Sequence, residues 1–227
     1  KCEEGISVIE IKKSPAPAAL IQAKRLGLTD YSEMDTATKD AIKLSLFQEQ
    51  YHLCAYCMRR LNPETMQIEH YLAQHPEDGA YDPAMTIDYQ NMLGVCPGGK
   101  GEVQHGEQLT CDQHRGNTPL TVNPLRPATL SKITYSSSGK IGSDDPDIMK
   151  DLDKTLNLNC PASRLVKNRK AALDALKRKI QQTYRGRTVP KEKWMEMLSH
   201  YEAGNEKGEK VEYVGILIDY LRRKTNT

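Results

Sequence analysis

Four of the six cysteines in this chain are spaced as ligands for one metal ion. Cys54 and Cys57 form a Cys-x-x-Cys pair, and Cys96 and Cys111 follow with 14 residues between them. A Cys-x-x-Cys turn directs two thiolates at one ion, and four cysteines form a common closed site for structural Zn²⁺. We therefore expect one zinc ion held by all four sulfurs. His114 is an alternative fourth ligand in place of Cys96.

Other uses of these cysteines fit the sequence less well. A redox Cys-x-x-Cys needs a thioredoxin-like strand-helix-strand context, which the surrounding sequence lacks. No apolar secretory core is present in the first residues, KCEEGISVIEIKK, and no apolar run approaches the roughly 18 residues of a membrane helix. We expect a cytoplasmic protein without membrane contact, in which disulfides are rare. Cys2 and Cys160 are then expected to be free thiols.

The charge of the chain is divided unevenly along its length. The formal net charge is +2, but residues 161–227 contain 16 Lys and Arg against 8 Asp and Glu, which leaves a net of −6 for residues 1–160. The basic residues are densest between Pro161 and Lys191, where ten of them accompany one acid, Asp174. A basic block of this kind is typical of a polyanion contact, and it is also typical of a solvated helix face.

Hydrophobic periodicity and turn residues divide the chain into three segments. Residues 1–52 predict an N-terminal helical segment, and residues 53–128 form a turn-rich segment that holds the metal-type ligands. Residues 129–227 predict a hairpin followed by a C-terminal helical region, with a basic helix within residues 162–187. The predicted fold class is α+β, with a zinc-stabilised core embedded in a mainly helical protein.

The individual elements follow from the same patterns. A first helix is predicted to start at Ser14-Pro15, with Leu20, Ile21 and Leu26 on its apolar face. The alternation in SKITYSSSGKIG predicts a hairpin that turns at Ser138-Gly139. Further helices are predicted over residues 38–52, 147–156, 162–184, 190–201 and 212–223.

Polar residues of catalytic type lie between and just after the cysteine pairs. In chain order they are Glu69, His70, Asn91, Asp112 and His114. This order resembles the motif of the HNH nucleases, which fold as a ββα-metal finger. The resemblance implies that residues 53–128 are an HNH ββα-metal nuclease core with its zinc site. The resemblance covers roughly residues 49–169 and extends to the PtuB-like HNH proteins of Septu and retron-linked phage-defence systems. It is carried by the stretches CAYCMRRL, IEHY, YQNMLGVC, TCDQHRGN and LNLNCPASRLVKNR.

The resemblance implies a role for each of these residues. His70 would be the general base, since imidazole titrates near neutral pH. Glu69 and Asp112 match the positions that hold one Mg²⁺ or Mn²⁺ ion, for which oxygen ligands are suited. Asn91 would brace the loop that carries His70. His114 would contact the ion or the phosphate.

The resemblance also implies partners. The substrate would be DNA or RNA, and an ABC-type ATPase (PtuA-like) would control the nuclease. In retron versions a reverse transcriptase and its RNA–DNA product would join it. Apolar residues of the last helix are a candidate docking surface: Val214, Ile216, Leu217 and Leu221. Basic residues of the long helix are candidate nucleic-acid contacts: Lys167, Lys170, Lys177, Arg178 and Arg185.

The stretch Gly94 to Gly101 matches G-x-x-x-x-G-K, but a phosphate-binding loop needs Ser or Thr next, and Gly101 stands there. We therefore expect no ATP site at this loop. The alternative function is a non-catalytic zinc module that binds nucleic acid or scaffolds a complex. The combination of Glu69, His70 and Asp112 favours the nuclease, because a pure scaffold does not need it.

Overall fold

The computed structural model describes residues 10–75, 79, 82–101 and 106–226. In this part of the chain, helices predominate, and the strands form two separate antiparallel hairpins. The predicted mixture of many helices with little sheet is confirmed. Cys2 lies outside the described residues. None of the described helices is both long and apolar enough to span a bilayer.

Two helices precede the cysteine-rich segment. Helix α1 spans Ala18–Arg25 and α2 spans Thr36–Glu49, where the side chain of Asp35 caps the N-terminus by accepting a hydrogen bond from the Thr38 amide. The predicted apolar face of α1 is only partly correct: Leu20 is buried, but Ile21 and Leu26 are exposed. A helix of only eight residues buries a narrow part of its surface, and in α1 the buried residue is Leu20.

The central segment is built on strands β1 (Gln67–His70) and β2 (Met92–Val95), joined by a connection that contains α3 (Pro83–Thr86). The strands pair antiparallel, with Gln67 opposite Val95 and His70 opposite Met92. The one-turn helix α4 (Asp112–Arg115) follows. The buried Gln50 side chain exchanges hydrogen bonds with both backbone groups of Gly94, which fixes the end of α2 to the hairpin.

The C-terminal segment begins with α5 (Pro127–Leu130) and the predicted hairpin, which is confirmed as β3 (Ile133–Tyr135) and β4 (Ile141–Ser143). Gly139 occupies its turn with φ of 90°, where a Cβ atom would lie 2.2 Å from the Val166 carbonyl oxygen. The remaining helices are α6 (Pro146–Lys150), continued by a π-helical turn over Asp151–Thr155, then α7 (Leu165–Tyr184), α8 (Lys191–Ala203) and α9 (Val214–Thr225).

One prediction about α9 is wrong. Its apolar residues form no docking surface, because Val214, Ile216, Leu217 and Leu221 are all buried at 4% exposure or less. The helix packs against both α7 and α8, and one buried apolar cluster runs from Ile11 through the central segment to Leu221. Hydrophobic burial of α9 therefore stabilises the fold and leaves those side chains unavailable to a partner.

Candidate active site and metal centre

The structure brings together the four predicted cysteine ligands. Their sulfur atoms all lie within 4.8 Å of one another, and each residue is at most 2% exposed. The Sγ–Sγ distances are 3.7 Å between Cys57 and Cys96, 3.8 Å between Cys96 and Cys111, and 4.0 Å between Cys54 and Cys111. A tetrahedron with Zn–S bonds of about 2.3 Å has edges of about 3.8 Å. Four buried cysteines at these distances could bind a zinc ion.

The backbone around the four sulfurs is strained at two residues that are not glycine. Cys111 itself has φ of 56°, and Met58, directly after Cys57, has φ of 58°. Left-handed backbone at non-glycine residues persists where the surroundings determine it, as metal ligation does. The Cys96 amide lies 3.4 Å from the Cys54 sulfur. Contact with the other three sulfurs, together with burial, raises the pKa of the Cys111 thiol well above its ordinary value. A cation among the sulfurs would offset that repulsion.

His114 takes no part in this cluster. Its Nδ1 atom lies 3.0 Å from the Thr155 carbonyl oxygen, at the end of the π-helical turn. Across the described residues, the four cysteines are the only group of three or more metal-ligating side chains within such short distances. The cluster therefore uses Cys96, and the alternative of His114 in its place is not supported.

Glu69, near the end of β1, lies in a buried polar network. Its Oε1 atom accepts hydrogen bonds from the Tyr56 hydroxyl at 2.8 Å and from Nη1 of Arg115. Arg115 also donates to the carbonyl oxygens of Tyr71 and Thr118, at 2.6 and 2.9 Å. These contacts tie β1 to α4 and compensate the charges that are removed from water.

Asp112, the first residue of α4, faces the same carboxylate. The two acids are close enough to share a hydrogen bond, and burial together with Asp112 raises the pKa of Glu69 to about 8, against the opposing attraction of Arg115. Two carboxylates that face each other retain either a shared proton or a cation between them. The donor set is two oxygens, which suits a hard ion that keeps several water ligands. The Asp112 carboxylate is oriented by Gln113, whose Nε2 atom lies 3.2 Å from its Oδ2.

His70 is the last residue of β1 and is 6% exposed. Its Nε2 atom lies 2.8 Å from the Thr86 carbonyl oxygen, and its ring packs edge-on against Tyr31 at 4.9 Å between centroids. Burial lowers the pKa of His70, against the raising effects of the Thr86 carbonyl and of Asp112. The imidazole is therefore neutral at neutral pH. A carbonyl oxygen only accepts hydrogen bonds, so Nε2 carries the proton and Nδ1 carries the lone pair.

Asn91 fastens the loop that orients His70. Its Oδ1 atom accepts a hydrogen bond from the Leu72 amide at 2.7 Å, and its Nδ2 atom donates to the carbonyl oxygens of Leu72 and Met85, both at 3.0 Å. Met85 directly precedes Thr86, the residue that hydrogen-bonds His70. The buried Asn91 amide thus joins the segment after β1 to α3.

The predicted nucleic-acid contacts on α7 differ in their surroundings. Lys167, Arg178 and Arg185 are exposed. Lys170 forms an ion pair with Asp174, four residues later in the helix. Lys177 is half-buried, with Nζ 5.3 Å from the centre of the Tyr220 ring. Lys177 is therefore less available to nucleic acid than the three exposed residues, because α9 packs against that part of α7.

Sequence reasoning missed three residues of the site: Tyr56, Thr86 and Arg115. Arg115 lies one helical turn after Cys111, and that spacing was the available signal. Tyr56 lies inside the Cys-x-x-Cys turn, where its role depends on the tertiary contact with Glu69. Thr86 acts through its backbone carbonyl, so its side-chain identity carries no signal.

No family model matches the chain. A curated protein from Vibrio cholerae serotype O1 biovar El Tor, named "Retron Vc95 putative HNH endonuclease", is 25% identical over 124 residues. The matched part is 53% of this chain and 56% of that protein, so the chain spans little more than half the length of this relative. The likeness weakly supports a relation to the HNH nuclease family. It gives no support to the narrower PtuB-like resemblance.

Proposed function

We propose that this chain is a metal-dependent endonuclease of the HNH type, stabilised by a structural zinc ion at Cys54, Cys57, Cys96 and Cys111. The observation that carries the proposal is the pairing of the Glu69 and Asp112 side chains at the end of β1. The neutral imidazole of His70 follows directly in the chain, and burial lowers its pKa against the raising effect of the Asp112 charge. Strands β1 and β2 followed by α4 would be the ββα-metal finger of that family. The substrate would be a nucleic-acid phosphodiester.

In this proposal the chain's own residues divide the chemistry. His70 accepts the proton of the attacking water at Nδ1, since the Thr86 carbonyl holds the proton on Nε2. Asn91 keeps Thr86 and therefore the imidazole in position. Glu69 and Asp112 would hold Mg²⁺ or Mn²⁺, which supplies charge neutralisation at the scissile phosphate and the leaving oxygen. His114, bonded to Thr155, would contact the ion or the phosphate from the side of α4.

The basic helix α7 would add affinity for nucleic acid, because the small finger formed by β1, β2 and α4 contacts few phosphates. Exposed Lys167, Arg178 and Arg185 would contact phosphates and position the substrate without reading its bases. Lys170 and Lys177 would contribute less, because each already has an intramolecular partner.

Control by an ABC-type ATPase is part of the same proposal, and it rests on the family resemblance alone. The name of the V. cholerae relative supports only a retron context. A retron reverse transcriptase with its RNA–DNA product is a further candidate partner. Co-expression of the chain with a neighbouring ATPase, followed by size-exclusion chromatography, tests this. A chain that elutes alone and cleaves without restraint would contradict it.

One observation favours the alternative of a non-catalytic zinc module. Glu69 and His70 are each only 6% exposed, and both make the contacts expected of structural residues. Cleavage of labelled duplex DNA and total RNA with added Mg²⁺ or Mn²⁺ distinguishes the two functions. If the chain is a nuclease, chelation should stop cleavage and added metal should restore it. His70→Ala should cleave far more slowly than the wild type. Binding without cleavage under all these conditions would favour the non-catalytic module.

A further inference from the structure

An open pocket of about 350 Å³ lies where the two zinc-binding loops meet the start of α7. It does not include any residue of the candidate active site. Polar and small residues line it: Arg59, Gly98, Gly99, Thr110, Ala162, Ser163 and Arg164. No carboxylate is among these described residues, so the pocket is electrostatically suited to an anion.

Two arginines give the pocket its charge. Arg59 is half-buried and hydrogen-bonds the Tyr213 hydroxyl, which also accepts a hydrogen bond from Asn168 at 3.1 Å. This contact orients the Arg59 side chain. Arg164 is exposed and has φ of 59°, directly before the first residue of α7. Planar guanidinium groups are well matched to phosphate oxygens.

The floor of the pocket is a pair of glycines. Gly98 and Gly99 have φ of 58° and 89°. A Cβ atom on Gly98 would lie 2.2 Å from the Thr110 carbonyl oxygen and 2.9 Å from Cβ of Gln113, so only glycine fits. These glycines belong to the G-x-x-x-x-G-K stretch that fails as an ATP loop. Packing against Thr110 and Gln113 therefore explains the glycine at position 98, and both glycines line the pocket without a side chain.

The pocket is connected to the candidate active site through α4. Gly98 lies against Gln113, and Gln113 contacts the Asp112 carboxylate at 3.2 Å. Gly98 also follows β2 by three residues, and β2 pairs with the strand that ends at His70. From His70 back to Gln67, which lies opposite Val95, the strand rises about 10 Å. The loop that lines the pocket and the candidate base His70 are thus carried by the same pair of strands.

We propose that this pocket binds a phosphate of the nucleic-acid backbone flanking the cleavage position, with Arg59 and Arg164 as its ligands. The proposal rests on the proposed nuclease function for the identity of the polymer. The rival role for Arg59 is neutralisation of the nearby thiolates of Cys57 and Cys96, which also attract it. That role involves no contribution from Arg164, so Arg164 distinguishes the two.

The test is the salt dependence of binding, measured by fluorescence anisotropy with a labelled DNA duplex and with labelled single-stranded RNA. The His70→Ala background slows cleavage, and Arg164→Gln, Arg59→Gln and the double substitution are compared in it. Each lost phosphate contact should lower the log–log salt slope by about 0.9 on duplex DNA and about 0.7 on a single strand. The decrease in salt slope should be equal for nucleic acids of unrelated sequence.

The matched control is Lys24→Gln with Arg25→Gln, which removes two exposed charges from α1. It should leave the slope unchanged. Arg59→Gln could also weaken the fold, so melting temperatures are compared, and the exposed Arg164→Gln carries the decision alone if Arg59→Gln melts early. An unchanged slope in Arg164→Gln overturns the proposal. So does AMP binding to the pocket as tightly as the polymer does, since that identifies a free-nucleotide site.

The same experiments separate this proposal from the nuclease proposal. A wild-type chain that binds with an Arg164-dependent slope but never cleaves would refute the nuclease and leave the phosphate pocket. A chain that cleaves with metal while Arg164→Gln binds normally would refute the pocket alone.

Discussion

Nη1 of Arg115 donates a hydrogen bond to Oε1 of Glu69, with side chains that are only 1% and 8% exposed. The bond joins the second-last residue of β1 to the last residue of α4. Glu69 is therefore both a candidate metal ligand and a structural partner of a buried cation. Asp112, the other candidate ligand, is half-buried and lacks that second role.

The two acids should accordingly respond differently to substitution. Glu69→Ala removes a hydrogen-bond partner of the buried Arg115 guanidinium, and an unsatisfied buried group typically costs about 1–3 kcal/mol of unfolding free energy. Asp112→Ala should cost far less stability and should mainly raise the Mg²⁺ concentration needed for cleavage. Urea unfolding and metal titrations of activity measure the two effects. Equal stability losses, or an unchanged Mg²⁺ requirement in Asp112→Ala, would contradict this division of roles.

Zinc should be part of the folding free energy. We expect one zinc ion per chain, and Cys57→Ser should lose it and lower the melting temperature, because structural zinc sites contribute binding energy to the folded state. Cys160→Ser is the control, since Cys160 is buried but lies outside the cluster. Metal analysis and thermal unfolding check both. A wild-type chain that contains no zinc would disprove the site.

His70→Ala should reduce cleavage by a factor of about 10² to 10⁴, the usual loss when a general base is removed. Zinc content should not change, because His70 contacts Thr86 and Tyr31 but none of the four cysteines. Single-turnover cleavage at saturating substrate measures the chemical step. His200→Ala, an exposed histidine on α8, is the control and should cleave normally. Full activity in His70→Ala would favour the non-catalytic module.

Asn91→Ala should lower both stability and activity. It removes three hydrogen bonds to the backbone of Leu72 and Met85, and unsatisfied buried groups typically cost about 1–3 kcal/mol each. The His70 ring would then lose its fixed position against Thr86. Asn91→Asp retains the acceptor for the Leu72 amide but places a carboxylate oxygen against the two carbonyl oxygens, so at neutral pH it should melt no higher than Asn91→Ala. Cleavage at the wild-type rate in both variants would show that this brace is not needed.

The basic face of α7 should act through salt-dependent binding. Lys167→Glu, Arg178→Glu and Arg185→Glu together should weaken binding to all sequences and lower the salt slope, while cleavage persists at saturating substrate. Lys24→Glu, Arg25→Glu and Lys150→Glu reverse three exposed charges elsewhere and serve as the control. Anisotropy titrations over a range of salt concentrations measure the slope. An identical slope in the two triple variants would assign the α7 face to another role.

Local patterns determined a large part of this protein. The four cysteine ligands, the β3–β4 hairpin and most helices follow from spacing, turn residues and periodicity, all of which are properties of neighbouring residues. The α1 stripe and the supposed docking face on α9 could not be judged in this way. An amphipathic pattern shows which side chains prefer burial, but only packing shows whether they cover the core or remain exposed.

The tertiary structure decided how the candidate site is assembled. The sequence motif already grouped Glu69, His70 and Asn91 as candidate site residues. The hydrogen-bond network of Tyr56, Glu69 and Arg115, in contrast, joins residues up to 59 positions apart. Thr86 participates through a carbonyl, which every residue type has. Such contacts arise from the register of β1 with β2 and from the direction of α4, since a hydrogen bond depends on the positions of two atoms in space. The sequence therefore identified the groups capable of the chemistry, and the fold determined which of them meet.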